Sequence, residues 1–168
     1  MINVWKILLK SFAAYAYVKY FTYLFKHKWY VFIACCRMGI IWRGIKHDWS
    51  KFLPSEFVHY ANWYYRVNQS KDCVEYRRKY QMALLKHFNR NDHHWEYWML
   101  PISNKNCTVF KMPTPAIKEM VADWIGASKA KKTGVSARIW YLQRKNNICL
   151  APSSKKILIK LLAKEWII

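Results

Sequence analysis

The sequence predicts an all-α fold, a single compact helical bundle over residues 1–168, and three observations carry that expectation. Apolar residues recur at helical spacing through most of the chain. Only four Gly and five Pro punctuate 168 residues, too few for the many tight turns of a β-sandwich or barrel. Hydrophobic residues make up 54%, which excludes global disorder and is ample for one core.

The elements follow in order. Residues 2–25 read as a helix rich in Phe, Tyr and Leu, and residues 29–46 as a second. The second carries the stripe Val31, Ala34, Cys35, Met38, Ile41, Trp42, Ile45, although Gly39 and Gly44 weaken its regularity. If that helix continues, Asp48 falls on the same face. Pro54 and Ser55 end one helix and start another over 56–67. Asn68 to Lys71 read as a polar turn. Residues 72–88 then form a helix whose stripe Cys73, Tyr76, Tyr80, Ala83, Leu84, His87 carries His87 inward. Residues 89–114 read mostly as loop. Thr114 is placed to cap a helix over 115–131, with Pro115 at its first position and the stripe Ile117, Met120, Val121, Trp124, Ser128. Helices over 136–148 and 154–167 complete the chain. No internal repeat or domain boundary is visible. A motif-bearing core of about 25–130 is expected, with the helices of 136–168 packed on it.

Lys and Arg number 29 against 9 Asp and Glu, a net charge of +20. Such a surface attracts polyanions: nucleotides, nucleic acid or acidic lipid. The five Cys include no CxxC and are odd in number, which argues against a disulfide framework or structural zinc and for a reducing cytoplasm. No signal-peptide pattern opens the chain. Lys10, Lys19, Lys26 and Arg37 interrupt the longest apolar stretches, so no transmembrane span is expected. Residues 1–25 or 154–168 could still touch a membrane surface.

The scarcity of acids makes each one informative beside a His. His27, the doublet His47-Asp48, His87, the pair His93-His94 and Asp123 form an ordered series. Imidazole nitrogens with carboxylate oxygens suit a divalent ion such as Mn, Fe, Co, Ni, Mg or Zn. At a helix end the side chains of His47 and Asp48 can diverge, one binding one ion while the carboxylate bridges two. Each residue also has a plainer reading. The doublet could be an ion pair or helix cap, His27 part of the solvated run Lys26-His27-Lys28, His87 a core histidine, and Asp123 a surface partner of Lys. The aromatic runs Trp63–Tyr65 and Trp95–Trp98 read as core or pocket wall rather than as base-stacking platforms. His59 lies outside the series.

The series resembles the HD-domain phosphohydrolase superfamily, all-helical metalloenzymes with a His, a His-Asp doublet and a distant Asp, and with two further His when the site is binuclear. Lys51 adds to the match, since the superfamily often continues its doublet as HD-x-G-K; here Ser50 replaces the Gly. The segments GIKHDWSKFLPSEF, HFNRNDHHWEYW and EMVADWIGA more closely resemble an uncharacterised family of phage and bacterial proteins, a domain of unknown function. That resemblance covers roughly residues 25–130 and brings no reaction with it; a phage origin would place the chain in a host cytoplasm.

The His/Asp series and its resemblance to the HD-domain superfamily imply a metal-dependent phosphohydrolase acting on a nucleotide or another phosphate ester. His27, His47, Asp48, His87, His94 and Asp123 would hold the metal. Lys51 would neutralise the phosphate as a point charge. His93 would protonate the leaving oxygen. The sequence does not decide which of His93 and His94 is the ligand. Glu56 could orient a ligand His, and Glu96 could orient His93 or donate a proton. The competing expectation is a non-enzymatic basic protein that binds nucleic acid or an acidic partner, perhaps a phage-encoded modifier of a host function.

Overall fold

The computed structural model describes residues 2–66, 74–103 and 106–164, with side chains from residue 14 onward. The fold is all-α, with seven α-helices among the described residues. These are α1 (Ile2–Arg37), α2 (Ile41–Lys46), α3 (Pro54–Tyr65), α4 (Val74–Arg90), α5 (Thr114–Lys131), α6 (Ala137–Arg144) and α7 (Pro152–Leu162). Two three-residue strands, β1 (Met99–Pro101) and β2 (Cys107–Val109), pair antiparallel with Leu100 opposite Thr108. No described helix is long and apolar enough to cross a membrane.

The expected break between the first two helices falls elsewhere. Lys26-His27-Lys28 contains no residue that stops a helix, and α1 runs on to Arg37. It ends where Gly39 takes φ +72, a left-handed conformation that costs glycine little. The stripe expected of 29–46 divides there. Val31, Ala34, Cys35 and Met38 are buried, whereas Ile41, Trp42 and Ile45 on the short α2 are exposed. Pro54 opens α3 two residues earlier than expected, as its fixed φ and missing N–H allow. The expected turn at Asn68–Lys71 and the Cys73 position lie outside the described residues. The helix expected over 154–167 is α7, which starts two residues earlier, with Pro152 at its first position, and ends at Leu162.

Contacts divide the chain into two units, residues 1–25 with 48–87 and residues 26–47 with 88–168. Neither is a continuous stretch, so no linker marks a boundary in the sequence. The first unit has an aromatic core. Tyr20, Leu24, Tyr60, Ala61 and Ala83 are buried, and Phe57, Tyr65 and Tyr80 pack against them. Tyr20 and Tyr60 stack at 6.0 Å, and Trp63 lies on Tyr80 at 4.6 Å. Burial pushes the hydroxyls of Tyr20, Tyr60 and Tyr80 above the usual phenol range.

The second unit is built around α5. Ala116, Ile117, Met120, Val121, Ala122, Trp124 and Ile125 are all buried, as expected of a helix covered on more than one face. The α6 and α7 helices both pack on α5. Trp124 meets Trp140 at 4.5 Å, and the Ser154 hydroxyl joins α7 to the chain before α5 by accepting from the Met112 N–H at 2.9 Å. Gly126 lets α5 approach α1 closely. A Cβ there would lie 2.4 Å from Val31 Cγ2 and 3.0 Å from the Val31 backbone nitrogen.

Candidate metal centre

The doublet sits where α2 ends. His47 follows the last helical residue with extended backbone (φ −50, ψ 129), and Asp48 turns left-handed (φ 54, ψ 24). Asp tolerates that region better than most residues. The reversal sends the two consecutive side chains to different partners. Lys28 secures the helix end by donating to the carbonyls of Ile45 (3.2 Å) and His47 (2.5 Å), as a cation at a helix C-terminus does.

In the second unit, three segments bring donor atoms together. His27 comes from α1, His47 from the end of α2 and Asp123 from the middle of α5. His27 Nε2 lies 3.3 Å from His47 Nε2 and 3.1 Å from Asp123 Oδ1, and His47 Nε2 lies 3.6 Å from the same oxygen. Ligand atoms around one ion at roughly 2.0–2.2 Å in tetrahedral geometry stand about 3.4 Å apart, so the triangle fits a divalent ion. His27 and His47 are buried, and Asp123 retains a small exposed edge. Burial alone would raise the Asp123 carboxyl. The neighbouring imidazoles of His27 and His47 outweigh it and hold the group well below the usual carboxylate range.

Behind His47 stands Glu119, which the sequence reading did not single out. Its Oε1 accepts from His47 Nδ1 at 2.9 Å and from His93 Nδ1 at 3.2 Å. Its Oε2 accepts from Arg43 Nε at 2.5 Å, and Arg43 reaches on to Asp92. Burial again opposes the charge, and the two imidazoles win: the Glu119 carboxyl is held at about 2. A carboxylate accepting from Nδ1 fixes the tautomer that leaves Nε2 to ligate, the usual support of a metal-bound His. Donor atoms of His47, His93 and Glu119 themselves form a buried group that could hold an ion.

His93 is buried, with its ring 4.6 Å from that of His47. His94 is half-buried and packs on Phe88 at 4.8 Å. The carboxylate on His93 is thus Glu119, where Glu96 had been one of the expectations. Glu96 is half-buried, its Oε2 accepts no hydrogen bond among the described residues, and burial pushes its carboxyl up to about 7.

In the first unit, Asp48 and His87 are both buried, with Asp48 Oδ1 3.3 Å from His87 Nε2. The same support recurs. Glu56 Oε2 accepts from His87 Nδ1 at 3.0 Å and from the Ser50 hydroxyl at 3.0 Å. Glu56 therefore orients a candidate ligand, and Ser50, where the resembling superfamily often has Gly, acquires a role through its hydroxyl. Lys51 Nζ lies 2.6 Å from Asp48 Oδ2 and 5.9 Å from the centre of the Tyr60 ring. His59 is half-buried on α3 and carries none of these contacts.

Sequence reasoning missed Glu119, Arg43 and Asp92. The signal for Glu119 was available: it precedes Asp123 by four residues, one helical turn, inside the EMVADWIGA segment. Nothing local marks Arg43 or Asp92.

No curated protein and no solved structure matches the chain. A model of a family of unknown function, DUF5662, matches residues 16–164. With nearly all of its length matched, and with the supported His and Asp residues lying inside the match, the chain belongs to that family.

Proposed function

We propose that this protein is a metal-dependent phosphohydrolase acting on a nucleotide or another phosphate ester. The observation that carries the reading is the buried triangle of His27, His47 and Asp123, with donor atoms 3.1–3.6 Å apart and Glu119 behind His47. Structural histidines have no need of this spacing together with a carboxylate that fixes the tautomer. A divalent ion held there would supply Lewis-acid activation of water and of the phosphoryl oxygens.

The chain's own residues do the rest. His27, His47 and Asp123 bind the ion. Asp48 and His87 offer a second pair of donor atoms, and Glu56 holds His87 in the ligating tautomer. The Lys51 ammonium, balanced by Asp48, contributes a point charge for the phosphoryl group. His93, held through Nδ1 by Glu119, has Nε2 for passing a proton to the leaving oxygen. The net charge of +20 draws an anionic substrate toward the surface.

The test is metal analysis of the purified chain beside Asp123→Ala, with hydrolysis of deoxynucleotides, nucleoside monophosphates and cyclic nucleotides assayed with Mn, Co, Ni and Mg. Wild type retains at least one divalent ion and hydrolyses one of these substrate classes; Asp123→Ala loses both properties. Lys51→Ala keeps the metal and lowers turnover. If the metal-loaded chain hydrolyses none of them and Asp123→Ala binds metal as wild type does, the enzyme reading fails. A basic protein that binds nucleic acid then takes its place.

A further inference from the structure

The second unit contains a cavity of about 740 Å³ whose residues have no part in the metal centre. It opens between the end of α5, the connection to α6 and the end of α7. Lys129, Lys132, Arg138 and Lys164 line it. No Asp or Glu does so among the described residues. Four basic residues among thirteen is nearly twice the share in the chain as a whole, 29 of 168, and all four are exposed.

Lys132 and Arg138 carry the argument, because neither has a carboxylate partner among the described residues. Lys132 is placed by a left-handed turn (φ 54) that stops α5 and redirects the chain. Arg138 lies in the first turn of α6, where helix geometry leaves N–H groups without an internal acceptor. Ser136 caps that helix by accepting from the Ile139 N–H at 3.2 Å, which leaves the N–H groups of Ala137 and Arg138 for another acceptor. The positive end of the helix dipole lies at Ser136, Ala137 and Arg138, which all line the cavity. Tyr30, Ile125 and Leu162 also line the cavity and add apolar surface to it.

We propose that this cavity binds a phosphorylated small molecule with an apolar or aromatic body, of nucleotide size, independently of the metal centre. The volume lies in the range of small-molecule sites, and a lining that includes both cationic and apolar side chains suits a ligand with a charged group on an apolar body. Ammonium and guanidinium groups form short charge-assisted hydrogen bonds with phosphate oxygens.

The test is calorimetric titration of the full chain with ATP, pyrophosphate and adenosine, in EDTA and at physiological salt. ATP binds best, pyrophosphate binds more weakly, and adenosine alone does not bind measurably. Arg138→Glu and Lys132→Glu each weaken ATP roughly tenfold or more, the loss expected for a reversed charge at a charge-assisted contact. An acid in the first turn of α6 favours that helix, so Arg138→Glu loses binding without losing fold; an unchanged circular dichroism melt checks this. Asp123→Ala leaves ATP binding intact. The proposal is overturned if ATP binds no better than adenosine, if both charge reversals bind like wild type, or if Asp123→Ala abolishes binding.

Discussion

Glu119 holds His47 and His93 by their Nδ1 atoms, and that choice of nitrogen decides which lone pair each ring offers. The carboxylate is ionised through the working pH range, being held at about 2, so it acts as an acceptor only. Glu119→Gln keeps the shape, removes the charge and offers one oxygen in place of two. The divalent ion should bind roughly 10–100-fold more weakly, as for other lost partners of ligand histidines, measured by competition with a chelator. Affinity equal to wild type would show that Glu119 is not part of the centre. At this scale much was legible in the sequence. His27, His47 and Asp123 stood out as scarce residue types in an ordered series, and the structure brings them within 3.6 Å of one another. Arg43 was not legible, since its role depends on Asp92 and Glu119, 49 and 76 residues away.

The elements were legible wherever the apolar period is strong. The expected helix at 115–131 is α5, shifted by one residue at its start, and its stripe of Ile117, Met120, Val121 and Trp124 is buried. The division of 2–46 was misplaced because a basic triplet does not break a helix, whereas Gly39 with positive φ does. Close approach between elements leaves no periodic trace, and Gly126 illustrates this. Gly126→Ala would press a methyl group against Val31 and within 3.3 Å of the His27 carbonyl oxygen. Part of the obstruction is backbone, so α1 must retreat from α5. The variant should be less stable by about 1–3 kcal/mol in chemical denaturation, the usual cost of overpacking. Its metal affinity should also fall, because His27 is carried on the displaced helix. Stability and metal affinity like those of wild type would mean that the two helices adjust freely.

The whole molecule carries +20 on 168 residues, and like charges at that density repel in the folded state. Raising sodium chloride from low to physiological concentration shortens the screening length to about 8 Å. The melting temperature should therefore rise by several degrees over that range, while buried contacts such as His47 with Glu119 change little. A constant or falling melting temperature would show that exposed ion pairs outweigh the repulsion. The overall charge was plain from composition, but the division into units was not, because each unit joins two separated stretches. The chain passes from one unit to the other after Phe25, His47 and His87. A ribosome delivering this chain sets an order of events. The first unit has all of its residues once His87 emerges, while Lys26–His47 must wait for the later half of the protein. His27 and His47 are made early, and Asp123, the third member of their triangle, arrives 76 residues after His47.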